Sequence, residues 1–137
     1  MLGALTNVMD MGWFFRNCTS LEHIHTFNQT QLTSPDTIII GPRVYSCYQM
    51  FSGCSSLETI KIEGAHYLGQ VRTDGTYATL GMYQMFRECT SLRTIEFVGT
   101  EKIGTHINNL QSFFYNCENL ESVNLDNFDT SNVTNMG

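Results

Sequence analysis

Basic residues are scarce in this chain. Among its 137 residues only seven are Lys or Arg, against 13 Asp or Glu, and the formal net charge is −6. Proteins that bind nucleic acid need clustered Lys and Arg side chains to displace counterions from the phosphates, whereas the basic residues here are scattered. The composition therefore argues against nucleic acid as a partner.

Long apolar runs are also lacking. None approaches the roughly 20 apolar residues that cross a bilayer as a helix, and the segment Met1–Leu5 has no basic stretch and is soon interrupted by Asn7 and Asp10. We expect neither a membrane span nor a signal peptide within this chain. Its 42% apolar content is nevertheless enough for the core of a single domain over residues 1–137.

Recognisable catalytic motifs are missing as well. The sequence contains no Gly-x-Ser-x-Gly elbow, no phosphate-binding loop, no Gly-x-Gly-x-x-Gly fingerprint and no His-Glu-x-x-His. Close carboxylates such as Asp126 and Asp129 stand in a connecting segment, where Asp commonly caps or forms turns. We therefore expect neither enzymatic activity nor a cofactor.

What the chain does contain is a block that recurs four times, at residues 11–26, 47–62, 82–97 and 110–125. Every copy has a cysteine, with phenylalanine three residues before it and leucine three residues after it. Such periods are typical of repeat proteins, in which each unit buries its apolar face on its neighbours. The cysteines that we use as reference position 0 are Cys18, Cys54, Cys89 and Cys117.

The apolar spacing within a copy predicts two kinds of structure. Positions −7, −4, −3 and 0 follow one face of a helix, whereas positions +6 and +8 alternate as in a strand. The predicted fold is an α/β repeat solenoid similar to leucine-rich repeats, with a short helix and a short parallel strand in each of about four units. We expect the residues at position +6 to lie in register in one core: Ile24, Ile60, Ile95 and Val123.

Two connections are longer than the repeat requires. The reference cysteines are 36, 35 and 28 residues apart, and leucine-rich repeats run to roughly 20–29 residues. The insert at 28–43 contains a β-branched run that is stopped by Gly41 and Pro42. The insert at 64–81 has the pattern of a hairpin that turns at Thr73–Gly75. We predict two inserted loops or hairpins, and these are a second candidate binding region.

The cysteines and a pair of histidines could suggest metal chemistry. The cysteines form no Cys-x-x-Cys pair and four recur at one repeat position, which favours a ladder of buried thiols over a disulfide or a metal site. His23 and His25 lie two residues apart, but the matching residues of the next copy are Thr59 and Lys61. Because a zinc site needs three or four ligands, we expect no metal there.

The outward face of the strands is the main candidate binding surface. Positions +6 and +8 point inward, so positions +5 and +7 point outward and form two columns across strands that stand ~4.8 Å apart. Repeat proteins commonly use such a surface for partners. The predicted binding face consists of His23, His25, Thr59, Lys61, Thr94, Glu96, Ser122 and Asn124.

One family shows this combination of motifs. The segment NFDTSNVTNM (127–136) follows a Met-x-x-Met-Phe-x-x-Cys-x-x-Leu block, and together they resemble the BspA-like leucine-rich repeats of bacterial surface proteins, also called DUF285. A degenerate copy of the connector stands at 5–11, so the resemblance covers most of the chain outside the inserts. It implies a secreted or cell-surface module for recognition or adhesion.

These observations favour a non-enzymatic module that binds a protein or another extracellular macromolecule. A structural spacer in a longer surface or fibre protein is the alternative. An accessory domain of an enzyme is the third possibility, although the inserts hold only His66, Asp36 and Asp74 as candidate groups. Because the sequence begins and ends within a repeat, we expect a fragment of a longer array whose apolar end units associate end to end.

Overall fold

In the part of the chain that the structure describes, six short strands form two sheets. The computed structural model describes residues 8–28, 31–69 and 81–137. Strands β1 (His25–Asn28) and β2 (Gln31–Pro35) pair antiparallel. The second sheet is parallel and follows chain order: β3 (Thr37–Ile39), β4 (Thr59–Glu63), β5 (Thr94–Val98) and β6 (Ser122–Val123). In β4 and β5 the β-branched and aromatic residues alternate with polar ones, which suits a sheet that is buried on one face.

The register of the parallel sheet confirms most of the predicted row at position +6. Ile60 pairs with Ile95, and Ile95 pairs with Val123. Ile24 is buried but lies outside the sheet, and the edge of β4 is taken by β3, in which Ile38 pairs with Ile62. The prediction for Ile24 was wrong because the insert offers a better strand. The run of the insert at residues 37–40 is β-branched throughout, whereas the first repeat has the polar Thr26 at position +8, where the other repeats have an apolar residue.

The predicted helices are absent. Among the described residues no segment forms an α-helix, and the only helical element is a 3₁₀ turn at Ala65–Tyr67. The α/β solenoid with one helix per unit was therefore the wrong fold class. Where helices were expected the chain makes consecutive tight turns, and the backbone is left-handed at positions −5 and −1 of all four units. These residues are Trp13, Asn17, Gln49, Gly53, Gln84, Glu88, Ser112 and Asn116, with φ between 51° and 78°.

Backbone hydrogen bonds explain why the turns replace the helix. The Cys54 N–H donates to Phe51 O within its unit at 3.0 Å, whereas the Phe51 N–H donates to Met85 O of the next unit at 2.9 Å. Alternate N–H groups thus bond within a turn and between units, instead of all bonding four residues back as in a helix. Tandem turns place apolar residues every three or four positions, so their pattern is indistinguishable from that of an amphipathic helix.

The buried positions of the second and third units were predicted correctly even though the backbone was not, whereas Phe14 of the first unit and Leu125 of the fourth are exposed. At position −3 the rings of Phe15, Phe51, Phe86 and Phe114 stack with centroids 5.4, 5.6 and 6.2 Å apart and planes within 18°. Phe51 and Phe86 are fully buried, and so are Met50 and Met85 at position −4. The core therefore runs as a continuous column through the second and third units and is only partly covered in the first and fourth.

All five cysteines are free. Cys47, Cys54 and Cys89 are buried, which confirms the buried-thiol prediction for them, whereas Cys18 is exposed and contradicts it. The thiol of Cys54 donates to Phe15 O at 3.0 Å, and that of Cys89 donates to Phe51 O at 3.1 Å. The reference cysteine thus bonds each unit to the one before it.

The two inserts differ in what the structure shows. The β-branched run of the first insert forms β3, as its pattern indicates. In the second insert, residues 70–80 lie outside the described part of the chain, and the predicted hairpin at Thr73–Gly75 lies there.

The described residues contain no helix that is long and apolar enough to span a membrane.

Candidate functional site

The outward face of the parallel sheet brings together part of the two predicted columns. Thr59, Thr94 and Ser122 face one another across β4, β5 and β6 at position +5. In the second column Lys61 pairs with Glu96 at position +7. The rows follow directly from the parallel register, because residues that pair across neighbouring strands project on the same side of the sheet.

These side chains line an open groove of about 520 Å³. Six of the eight residues that the sequence predicted for the binding face meet there. The polar residues that line the groove are Asp36, Thr59, Lys61, Thr94, Glu96, Ser122 and Asn124. We call this surface the sheet groove.

Two of the charged side chains of the sheet groove pair with each other. Lys61 Nζ lies 2.8 Å from Glu96 Oε2, and both side chains are about half exposed. A pair of this kind adds little to stability in water, but it cancels the local charge. The groove therefore presents hydroxyl and amide groups, one ion pair and the carboxylate of Asp36.

Asp36 is the residue of the groove that sequence reasoning missed. It is buried at the end of the hydroxyl column, and its Oδ2 accepts a hydrogen bond of 3.0 Å from the Thr59 hydroxyl. Its Oδ1 accepts from the Ile24 N–H at 3.1 Å. Its φ of 63° is left-handed, a conformation that Asp tolerates better than most residues. The sequence feature that could have pointed to Asp36 is its place between Pro35 and a β-branched run.

The two histidines of the predicted face are placed differently. His23 is exposed, and its Nδ1 lies 3.1 Å from Asp36 Oδ1, so it flanks the hydroxyl column without standing in it. His25 begins β1, which pairs with β2 and not with the parallel sheet. Both histidines were expected in the columns, and that prediction was wrong because β3 takes the edge position beside β4.

The described residues of the sheet groove carry hydroxyl, amide, ammonium and carboxylate groups. The described residues contain no group of three or more His, Cys, Asp or Glu side chains that could hold a metal ion. Burial raises the pKa of Cys54 to about 12, with a smaller contribution from Cys18, and burial also raises the pKa values of Cys47 and Cys89. Because the thiolate is the nucleophile, these thiols are inert near neutral pH. The sheet groove offers hydrogen-bond donors and acceptors on a rigid support.

A comparison with protein families matches the C-terminal part of the chain. Residues 80–137 are similar to the family described as Mycoplasma protein of unknown function, DUF285. The match covers the third and fourth units and the connector that follows them, and this confirms the DUF285 part of the resemblance over that segment. No curated protein and no solved structure shows significant similarity to the chain.

Proposed function

We propose that this chain is a non-enzymatic binding module that recognises a macromolecular partner through the sheet groove. The observation that supports the proposal is the in-register hydroxyl column of Thr59, Thr94 and Ser122 beside the Lys61–Glu96 pair. Backbone pairing fixes the strands, so little conformational entropy is lost when a partner binds. Preorganisation of this kind improves affinity by lowering the cost of ordering.

The groove suits a polar partner. Hydroxyl groups are less costly to desolvate than isolated charges, and each hydroxyl can both donate and accept a hydrogen bond. Thr94 lies at the centre, with Thr59 and Ser122 on either side. An extended segment of a protein, or another extracellular polymer, laid across the strands would meet a hydroxyl on each of them.

The cellular setting belongs to the same proposal. The connector NFDTSNVTNM (127–136) and the DUF285 match at 80–137 support placement among the BspA-like surface proteins of bacteria. A module of that kind would act outside the cell in recognition or adhesion. The alternative role of a structural spacer requires no groove-dependent binding, so one experiment separates the two.

The test uses immobilised purified extracellular-matrix proteins and bacterial surface polymers as probes. We expect the wild-type chain to bind at least one probe, and Thr94→Arg to weaken that binding at least tenfold by filling the centre of the groove. Thr100→Arg adds the same charge at an exposed residue after β5 and should bind like wild type. Absence of binding by the wild-type chain, or an equal loss in both variants, contradicts the proposal and favours the spacer.

A further inference from the structure

A second surface runs along the tight turns, away from the sheet groove. Position −5 carries Trp13, Gln49 and Gln84 in the first three units, and position −6 carries Tyr48 and Tyr83 in the second and third. We call these five residues the turn strip. None of them lines the sheet groove.

Side-chain hydrogen bonds connect the turn strip from unit to unit. The Trp13 indole N–H donates to Gln49 Oε1 at 2.7 Å, and the Gln49 amide donates in turn to Gln84 Oε1. The Trp13 ring also packs against Tyr48, with centroids 4.8 Å apart and planes at 60°. These contacts hold the indole ring in a defined orientation although 53% of Trp13 is exposed.

The turn strip has hydrogen-bond donors and acceptors that its internal contacts do not use. A glutamine amide has two N–H donors and two acceptor lone pairs, and the ladder occupies one donor and one acceptor of Gln49. Gln49, Gln84 and the two tyrosines are only half-buried. No member of the strip carries a charge at neutral pH, in contrast to the paired ions of the sheet groove.

We infer that the turn strip binds a neutral polysaccharide that runs along the stack of units. A sugar ring has an apolar C–H face that packs on an exposed aromatic ring, and an edge of hydroxyl groups that both donate and accept hydrogen bonds. Trp13 and Tyr48 supply the aromatic surface, and Gln49 and Gln84 supply amides of matching character. The repeated surface also matches a polymer of repeated sugar units.

A proline-rich peptide is the competing occupant, since such peptides also bind between aromatic side chains. Its periodic polar groups are mainly carbonyl acceptors. The amides of the turn strip present both donors and acceptors, so they match the hydroxyl groups of a sugar better than the carbonyl groups of a proline-rich peptide. The uncharged strip also disfavours an anionic polysaccharide, which would require Lys or Arg.

The experiment uses Trp13 as the reporter, because it is the only tryptophan of the chain. Intrinsic fluorescence is titrated with dextran, xyloglucan, galactomannan and soluble β-glucan, and in parallel with heparin and a proline decapeptide. We expect a saturable change in emission with at least one neutral polysaccharide, and no weakening of that binding in high salt. Saturable binding of only heparin or only the peptide, or of no probe, overturns the inference.

Affinity electrophoresis in gels that contain the polysaccharide then locates the site. Trp13→Ala and Gln49→Ala should each weaken binding at least tenfold. Tyr115→Ala removes another exposed aromatic side chain, outside the turn strip, and should bind like wild type. Thr94→Arg should also retain binding, which separates this site from the sheet groove. An equal loss in Tyr115→Ala contradicts the assignment, and cooperative thermal unfolding of each variant excludes misfolding as the cause.

Discussion

The hydroxyl of Thr59 donates a hydrogen bond of 3.0 Å to Oδ2 of Asp36, and this bond joins the first insert to the second repeat. Asp36 also bonds Ile24 of the first repeat through its other carboxylate oxygen. Three segments that are distant in the sequence are therefore held together at one end of the sheet groove.

Removal of the Asp36 carboxylate should destabilise the chain. Asp36→Ala leaves the buried Ile24 N–H without its acceptor, and we expect the free energy of unfolding to fall by about 1–3 kcal/mol. Asp36→Asn keeps an amide oxygen and a residue that tolerates the left-handed backbone, so it should cost much less. Urea unfolding followed by circular dichroism measures both variants. A free energy of unfolding for Asp36→Ala equal to that of wild type would show that the contacts of Asp36 are unimportant.

The left-handed turns can be distinguished from helix by a pair of substitutions at Glu88, whose φ is 62°. Both Glu88→Gly and Glu88→Ala remove its exposed ion pair with Arg87, so the comparison isolates the backbone. In a left-handed turn glycine should be more stable than alanine by about 1 kcal/mol. In a helix interior alanine would be the more stable by a similar amount. The sign of the difference in urea unfolding decides between the two backbones.

Thiol reactivity should follow burial. At pH 8 we expect Cys18 to react rapidly with a thiol reagent because it is exposed. Cys47, Cys54 and Cys89 should react only on unfolding, because burial raises their pKa values and therefore keeps them protonated at this pH. Cys18→Ser should abolish the rapid phase. Titration of the denatured, unreduced chain should return all five thiols, and recovery of three or fewer would reveal a disulfide.

Self-association should depend on the apolar surface of the first unit. Phe14 is 47% exposed, whereas Met50 and Met85 at the same repeat position are fully buried. We expect the apparent mass from light scattering to rise with concentration, and Phe14→Asp to suppress that rise. Thr100→Asp introduces the same charge at an exposed polar residue after β5 and should behave like wild type. A strictly monomeric wild-type chain at high concentration contradicts this prediction.

Much of the sheet groove was accessible from the sequence. The alternation in β4 and β5 places Thr59 and Lys61, and likewise Thr94 and Glu96, on the side opposite the buried residues. This assignment needed no knowledge of the partner strands, because successive side chains of any strand point to opposite faces. Asp36 could not be assigned in the same way, since its position in the groove depends on which segment pairs with β4.

The sequence by itself determined that the units repeat and which positions are buried in the second and third units, because the spacing of apolar residues is the same in a helix and in tandem turns of similar period. The stacked column of Phe51 and Phe86 is the clearest case. Only the tertiary structure decided between helix and tight turns, because the Phe51 N–H finds its acceptor, Met85 O, in the neighbouring unit. It also decided that β3, and not the segment around Ile24, joins the sheet, since two segments compete for one strand edge.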